Sequence, residues 1–151
     1  MKADEYIQQG FVLAGSQRWQ EAIAFYDRAL ELDIGNALGW LNKGTALAEL
    51  GRHIEPIACC DAALRLNSRL ADASFNKGAI LGRMGRFDEA IACYDRFIDA
   101  RPRDRVARLN KGLILLQDLQ RYRDARACFE QAQRLNVPQA SKLITLCQQM
   151  I

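Results

Sequence analysis

Four glycines, Gly10, Gly44, Gly78 and Gly112, stand 34 residues apart along the chain. A fixed period of that size marks stacked copies of one supersecondary unit, each burying its apolar face against the next. Other columns keep the interval. An aromatic-type position carries Trp19, His53, Phe87 and Tyr122; three residues on stand Ala22, Pro56, Ala90 and Ala125; four further on come Tyr26, Cys60, Tyr94 and Phe129. The register slips by one residue between Gly112 and Tyr122, in LLQDLQRYRDA, which predicts a one-residue insertion in that turn.

Each unit holds two helical patterns. In ALGWLNKGTALAEL, Leu41, Gly44, Leu47 and Ala48 fall at helical spacing, and LG or MG follows as a stop in LAELGR and LGRMGR. In RFDEAIACYDRFIDA, acidic residues open the first turn, where the helix dipole favours them, and Ala90, Ile91, Tyr94, Phe97 and Ile98 form the apolar side. A glycine inside a helix costs about 1 kcal/mol relative to alanine. Its recurrence implies a close contact between two helices that a side chain would obstruct. Pro56 falls in the first turn of its helix, where a missing N–H matters little. Where three units have Ala29/Leu32, Ala63/Leu66 and Ala132/Leu135, the remaining one has Phe97/Ala100. Because residues i and i+3 share a helix face, this exchange is expected to conserve the volume filled there.

Composition narrows the class. Half of the 151 residues are hydrophobic and about a quarter charged, as in folded soluble proteins. No apolar run approaches the roughly 18 residues of a membrane span, and MKADEYIQQG lacks a charged-then-apolar targeting pattern, so a cytoplasmic location without membrane insertion is expected. The five cysteines (Cys59, Cys60, Cys93, Cys128 and Cys147) contain no C-x-x-C pair and lie in apolar helical stretches, which reads as buried reduced thiols.

With its 34-residue two-helix unit, aromatics near the start (Tyr6, Trp40), a small residue at the helix contact and then aromatic, Ala, aromatic, Ala, the chain resembles the tetratricopeptide repeat (TPR) family. QEAIAFYDRALELD and DEAIACYDRFIDARP carry the likeness most clearly. The resemblance implies an all-α, right-handed superhelical solenoid: four helix-turn-helix repeats over about 3–36, 37–70, 71–104 and 105–138, then a capping helix over 139–151, all in one domain. In that last helix Ala140, Leu143, Ile144, Cys147 and Met150 can face the array, while Leu146 falls off the stripe. The apolar Met150-Ile151 ending leaves room for a longer natural chain or for self-association through the terminal helix. The family implies a non-enzymatic module that binds a protein or peptide segment in a scaffold or adaptor role. A small chaperone for secreted or membrane-inserted clients and a self-associating assembly subunit stay open beside it.

The residue two before each glycine lies about 200° away around its helix and so points away from the partner helix. In a TPR array that side lines the concave groove, so Gln8, Asn42, Asn76 and Asn110 are expected to form a ladder of amides there. An amide offers donors and an acceptor, enough to hold the backbone of an extended peptide, and the resemblance implies this use. The amides could equally bond neighbouring helices or water. Ile7, Leu41, Phe75 and Leu109, with Phe11, Thr45, Ala79 and Leu113, are the expected groove floor, about half of these leucines belonging instead to the packing between repeats. Glu49 and Arg83 are placed at the rim. Lys43, Lys77 and Lys111 are expected to cover apolar surface with their stems and keep the ammonium in water.

Some relatives hold a chaperone's terminal carboxylate with basic and Asn residues. The matching places here are Ile7, Phe11, Asn42, Asp72 and Asn76, of which Asn42 alone fits, so that ligand is disfavoured. Residues 100–135 hold 9 Lys/Arg against 4 Asp/Glu. Arg101, Arg103, Arg105 and Arg108, with Arg121, Arg123 and Arg126, read as a solvated face with local Asp pairing; only Tyr122 stands near as a stacking aromatic, so nucleic acid is disfavoured. His53, the single histidine, occupies the aromatic column and reads as a packing substitute. Without a nucleophile motif, a metal-ligand set or a phosphate loop, no catalytic site, metal, cofactor or small-molecule substrate is expected.

Overall fold

The periodic apolar positions become nine α-helices with no strand. A computed structural model describes residues Met1–Ile151. In chain order the helices are α1 (Ala3–Gly15), α2 (Trp19–Leu32), α3 (Ala37–Glu49), α4 (Ile54–Leu66), α5 (Ala71–Arg83), α6 (Phe87–Ala100), α7 (Arg105–Leu113), α8 (Tyr122–Arg134) and α9 (Ala140–Met150). Local chemistry starts several of them. The Asn36 side chain accepts from the Gly39 N–H and Asp104 from the Ala107 N–H, both at 3.0 Å, capping α3 and α7.

The chain forms two compact units, Met1–Ile80 and Leu81–Ile151, divided within α5. In the first, α1 packs on α2, α2 on α3 and α3 on α4. Its core joins Ala22, Ile23, Tyr26, Ala46, Leu47 and Cys59, and a second cluster joins Leu41, Ala63 and Ala73. In the second unit α8 packs on both α7 and α9 around Leu115, Leu116, Ala125, Cys128, Phe129 and Cys147. All five cysteines are free thiols. Cys93 is half-buried and the other four are buried.

Direct approach explains the glycine column. A Cβ on Gly10 would lie 2.5 Å from the Tyr26 ring, one on Gly112 2.6 Å from the Phe129 ring, and one on Gly44 2.9 Å from Cys59 Cβ. These separations are inside van der Waals contact, so in these three hairpins the second helix closes on bare backbone.

The turns are as periodic as the helices. The N–H groups of Arg18, Arg52 and Arg86 donate to the carbonyls of Leu13, Leu47 and Leu81, each five residues back. In the last hairpin Arg121 donates to Leu115, six residues back. The extra residue lies in the helix end, not in the turn: Ile114–Asp118 is a π-helical segment that widens the spiral by one residue and keeps Ile114, Leu115 and Leu116 buried.

Two expectations about packing need correction. Ala29, Ala63 and Ala132 are fully buried, whereas Leu32 and Leu66 are 60% and 47% exposed, so the pair at i and i+3 does not share one filled volume. Positions three apart differ by about 60° around the helix, enough at its last turn to put one in the core and one in water. The Phe97/Ala100 exchange therefore puts a buried phenyl ring where the other repeats bury alanine. In α9, Ala140 and Cys147 are buried and Leu143 and Ile144 half-buried, but Met150 is 51% exposed rather than facing the array.

Candidate functional site

Within the first unit, α1, α2 and α3 enclose a cleft of about 240 Å³. Phe11, Ala14 and Gly15 come from the end of α1, Trp19 and Tyr26 from α2, and Asn42, Thr45 and Ala46 from α3. No charged side chain lines it. Close helix contact at Gly10 brings the Tyr26 ring under α1, and Phe11 is left 62% exposed at the mouth.

The amides of the Asn-Lys-Gly motifs differ in their bonding. Asn76 donates through Nδ2 to Thr45 Oγ1 at 2.9 Å, and that hydroxyl donates to the Leu41 carbonyl at 3.0 Å. Asn42, half-buried at the cleft, makes no hydrogen bond within the chain, and Gln8 is exposed. In the second unit Asn110 is hydrogen-bonded to the Tyr94 hydroxyl, whose acidity burial weakens and this bond partly restores.

The apolar candidates also divide. Phe11 and Thr45 reach the cleft, joined by Ala46, which was not among the expected groove residues, but Leu41 is buried against Ala63 and Ala73, and Ile7 lies toward Gly39, 3.6 Å from where its Cβ would be. Phe75 and Ala79 are half-buried, as are Leu109 and Leu113, which pack on the core of the second unit. Glu49 and Arg83 are exposed.

The motif lysines are not left to water. Lys43 Nζ lies 2.6 Å from Asp27, Lys77 2.6 Å from Asp61 and Lys111 2.5 Å from Asp95, with only 23–24% of each lysine side chain exposed. Each pair ties the first helix of one hairpin to the second helix of the preceding one. Sequence reasoning overlooked these partners, although Asp27, Asp61 and Asp95 repeat with the same 34-residue interval.

The arginine-rich stretch is largely committed to local partners. Arg121 pairs with Asp124 and Arg126 with Glu130, each at 2.8 Å, while Arg108 donates to the carbonyls of Pro102 and Asp104 and to Gln131. Arg103, Arg105 and Arg123 remain exposed. His53 is half-buried with its Nδ1 enclosed and unbonded. No group of three or more His, Cys, Asp and Glu is placed to hold a metal ion, and no helix is long and apolar enough to cross a membrane.

Repeated helix hairpins with close contacts at Gly10, Gly44 and Gly112 define an all-α repeat protein. Residues 3–36, 75–118 and 107–136 match family models described as tetratricopeptide repeat, and the chain belongs to that family. A search of the curated proteins gives no match. Among solved structures, MamA is similar over 92% of this chain and 75% of its own, at TM-score 0.83 and 23% identity. YrrB, described as a TPR protein with an unusual peptide-binding site, is similar over 94% of this chain and 74% of its own, at TM-score 0.81 and 22% identity. The first TPR domain of Spaghetti (RPAP3), bound to the HSP90 peptide SRMEEVD, is similar over 73% of this chain and 87% of its own, at TM-score 0.72 and 23% identity. Likeness at these identities is likeness of fold, here the TPR solenoid.

Proposed function

We propose that this protein is a non-enzymatic interaction module that holds an extended or helical segment of a partner protein at the cleft formed by α1, α2 and α3. The observation that carries the reading is the uncharged cleft between Phe11, Trp19 and Tyr26 with the unpartnered Asn42 amide beside it. Apolar surface supplies affinity and a few convergent polar groups fix orientation, which is the composition of a binding site. The peptide complex of one protein of the same fold and the peptide-binding site of another support the reading in kind.

Affinity capture from a lysate of the source organism tests it, with the wild type beside Asn42→Ala. Asn42 makes no bond within the chain, so the variant is expected to melt at the same temperature. A protein retained by the wild type and lost by the variant supports the module; equal retention by both sinks this site as the seat of binding.

A second reading, assembly through the terminal helix, draws support from the exposure of Leu146, Met150 and Ile151, at 43%, 51% and 55%. Molecular mass by light scattering decides it: a concentration-dependent rise favours assembly, and a constant monomer mass removes it.

A further inference from the structure

We infer that the arginine cluster on the turn between α6 and α7 is a further contact surface, which binds an internal acidic stretch of a partner protein. It lies in the second compact unit and does not rest on the cleft between α1, α2 and α3.

The turn is built to present arginines outward. Arg108 holds its shape, donating to the carbonyls of Pro102 and Asp104 and to the Gln131 side chain near the end of α8. Arg101 is fixed as well, with its guanidinium 5.4 Å from the centre of the Phe97 ring. That ring stands where the other hairpins have Ala29, Ala63 and Ala132, so the support belongs to this turn alone. The acid within the turn is engaged elsewhere. Asp104 accepts from the Ala107 N–H at 3.0 Å and caps α7, the task that the neutral Asn36 performs for α3 at the same place in its repeat. Arg103 and Arg105 are exposed and have no carboxylate partner.

Neighbouring helix ends strengthen the field. Leu109 packs with Ala132, Val137 and Ala140, so the start of α7, the end of α8 and the start of α9 converge. Exposed Arg134 and Lys142 belong to this end, and residues 131–151 contain no acid. Residues 96–108 add five Arg against two Asp, which leaves the surface positive and attractive to anions.

Guanidinium groups take carboxylates through paired hydrogen bonds, and the compactness of the cluster favours a peptide as their source. The Asp104 N–H donates to the Arg101 carbonyl at 3.0 Å, which folds the arginines back onto one turn. A flexible acidic segment can bring several carboxylates to such a cluster. A DNA duplex, stiff over about 150 base pairs, can bring only one or two phosphates. Single strands rely on stacking against aromatic rings, and Phe97, the ring at this turn, is buried under Arg101.

The probe is fluorescein-labelled hexaglutamate with both ends capped, followed by anisotropy beside capped hexaglutamine, oligothymidylate and a short DNA duplex. Vesicles of phosphatidylserine and phosphatidylcholine in equal parts are tested by co-sedimentation. Hexaglutamate should bind and hexaglutamine should not, and raising salt from about 0.05 M to 0.5 M should weaken binding at least about tenfold. Arg103→Glu and Arg105→Glu should each weaken it about tenfold or more while melting as the wild type does, because neither side chain has a partner to lose. Arg123→Glu makes the same change in net charge at the other end of α8, roughly 20 Å away, and should stay within about twofold of the wild type. An equal loss in Arg123→Glu would mean diffuse attraction without a site. Tighter binding of a nucleic acid or of the vesicles would overturn the partner class, and no binding of hexaglutamate would overturn the surface. Asn42→Ala should bind hexaglutamate as the wild type does, so this surface and the cleft stand or fall separately.

Discussion

Lys77 Nζ sits 2.6 Å from Asp61, sixteen positions earlier in the chain, and the same offset recurs in Lys111–Asp95. Both partners are partly shielded, at 24% and 37% side-chain exposure for Lys77 and Asp61. An exposed ion pair contributes about 0.2–1 kcal/mol, and partial burial places this one toward the top of that range. A double-mutant cycle of Lys77→Met and Asp61→Asn by urea unfolding should return a coupling near 1 kcal/mol, weakening in high salt. A coupling indistinguishable from zero would show that the lysine stem, and not its charge, holds the two helices in register.

The glycine contacts separate two uses of one residue type. At Gly112 a methyl group would meet the Phe129 ring at 2.6 Å, and Phe129 is fully buried with no room to retreat. Gly112→Ala should therefore destabilise by about 1–3 kcal/mol through overpacking, despite alanine's better helix propensity. Gly15→Ala, where the added methyl meets nothing, should be neutral or stabilising by up to about 1 kcal/mol. Equal effects at the two positions would refute the close-contact account of the period.

Much of this was legible in the sequence because a period constrains everything that repeats with it. The glycine and aromatic columns located every hairpin, since a clash with Tyr26 or Phe129 leaves little choice at the glycine. The Lys–Asp ties were missed because their two columns lie sixteen residues apart on different hairpins, a separation with no meaning until neighbouring helices are placed. The amides illustrate another limit. Asn42, Asn76 and Asn110 occupy one column, yet Thr45 captures Asn76 and Tyr94 captures Asn110. Beside Asn42 the counterpart of Thr45 is Phe11, which offers no acceptor, while Tyr26 keeps the place of Tyr94 yet leaves the Asn42 amide unbonded, so the column alone could not tell an occupied amide from an available one.

Backbone geometry at the turns gives a further prediction. Gln17 and Gln120 have φ of 59° and 51°, in the left-handed region where Gly51 and Gly85 sit in the other two hairpins at 78° and 75°. A side chain there costs about 1 kcal/mol relative to glycine. Gln17→Gly and Gln120→Gly should each raise the unfolding free energy by up to about that amount, and Gly51→Ala should lower it similarly. Thermal or urea unfolding measures this; a loss of stability in Gln17→Gly would mean that the glutamine side chain makes a compensating contact.

His53 stands where the other hairpins have Trp19, Phe87 and Tyr122, and its enclosed Nδ1 lacks a partner. An unsatisfied buried polar atom costs about 1–3 kcal/mol. His53→Phe removes that atom and keeps a flat ring in the column, so a gain of about 1 kcal/mol is expected in urea unfolding. No gain would indicate that water reaches the nitrogen in solution.

Alkaline pH should unfold the protein earlier than its charge alone requires. Burial raises the Tyr26 and Tyr94 phenols above the ordinary value of 10.0 and the Cys59, Cys128 and Cys147 thiols above 9.0. A raised acid holds its proton more tightly in the folded chain, so folding is favoured fully below pH 9 and loses support as pH climbs through each folded value. The unfolding free energy measured in urea should therefore be flat from about pH 7 to 8.5 and fall above pH 9. Tyr26→Phe keeps the ring against Gly10 while removing one titrating group, and should flatten the fall above pH 10. An identical alkaline slope in that variant would show that Tyr26 ionises as freely in the fold as in the unfolded chain.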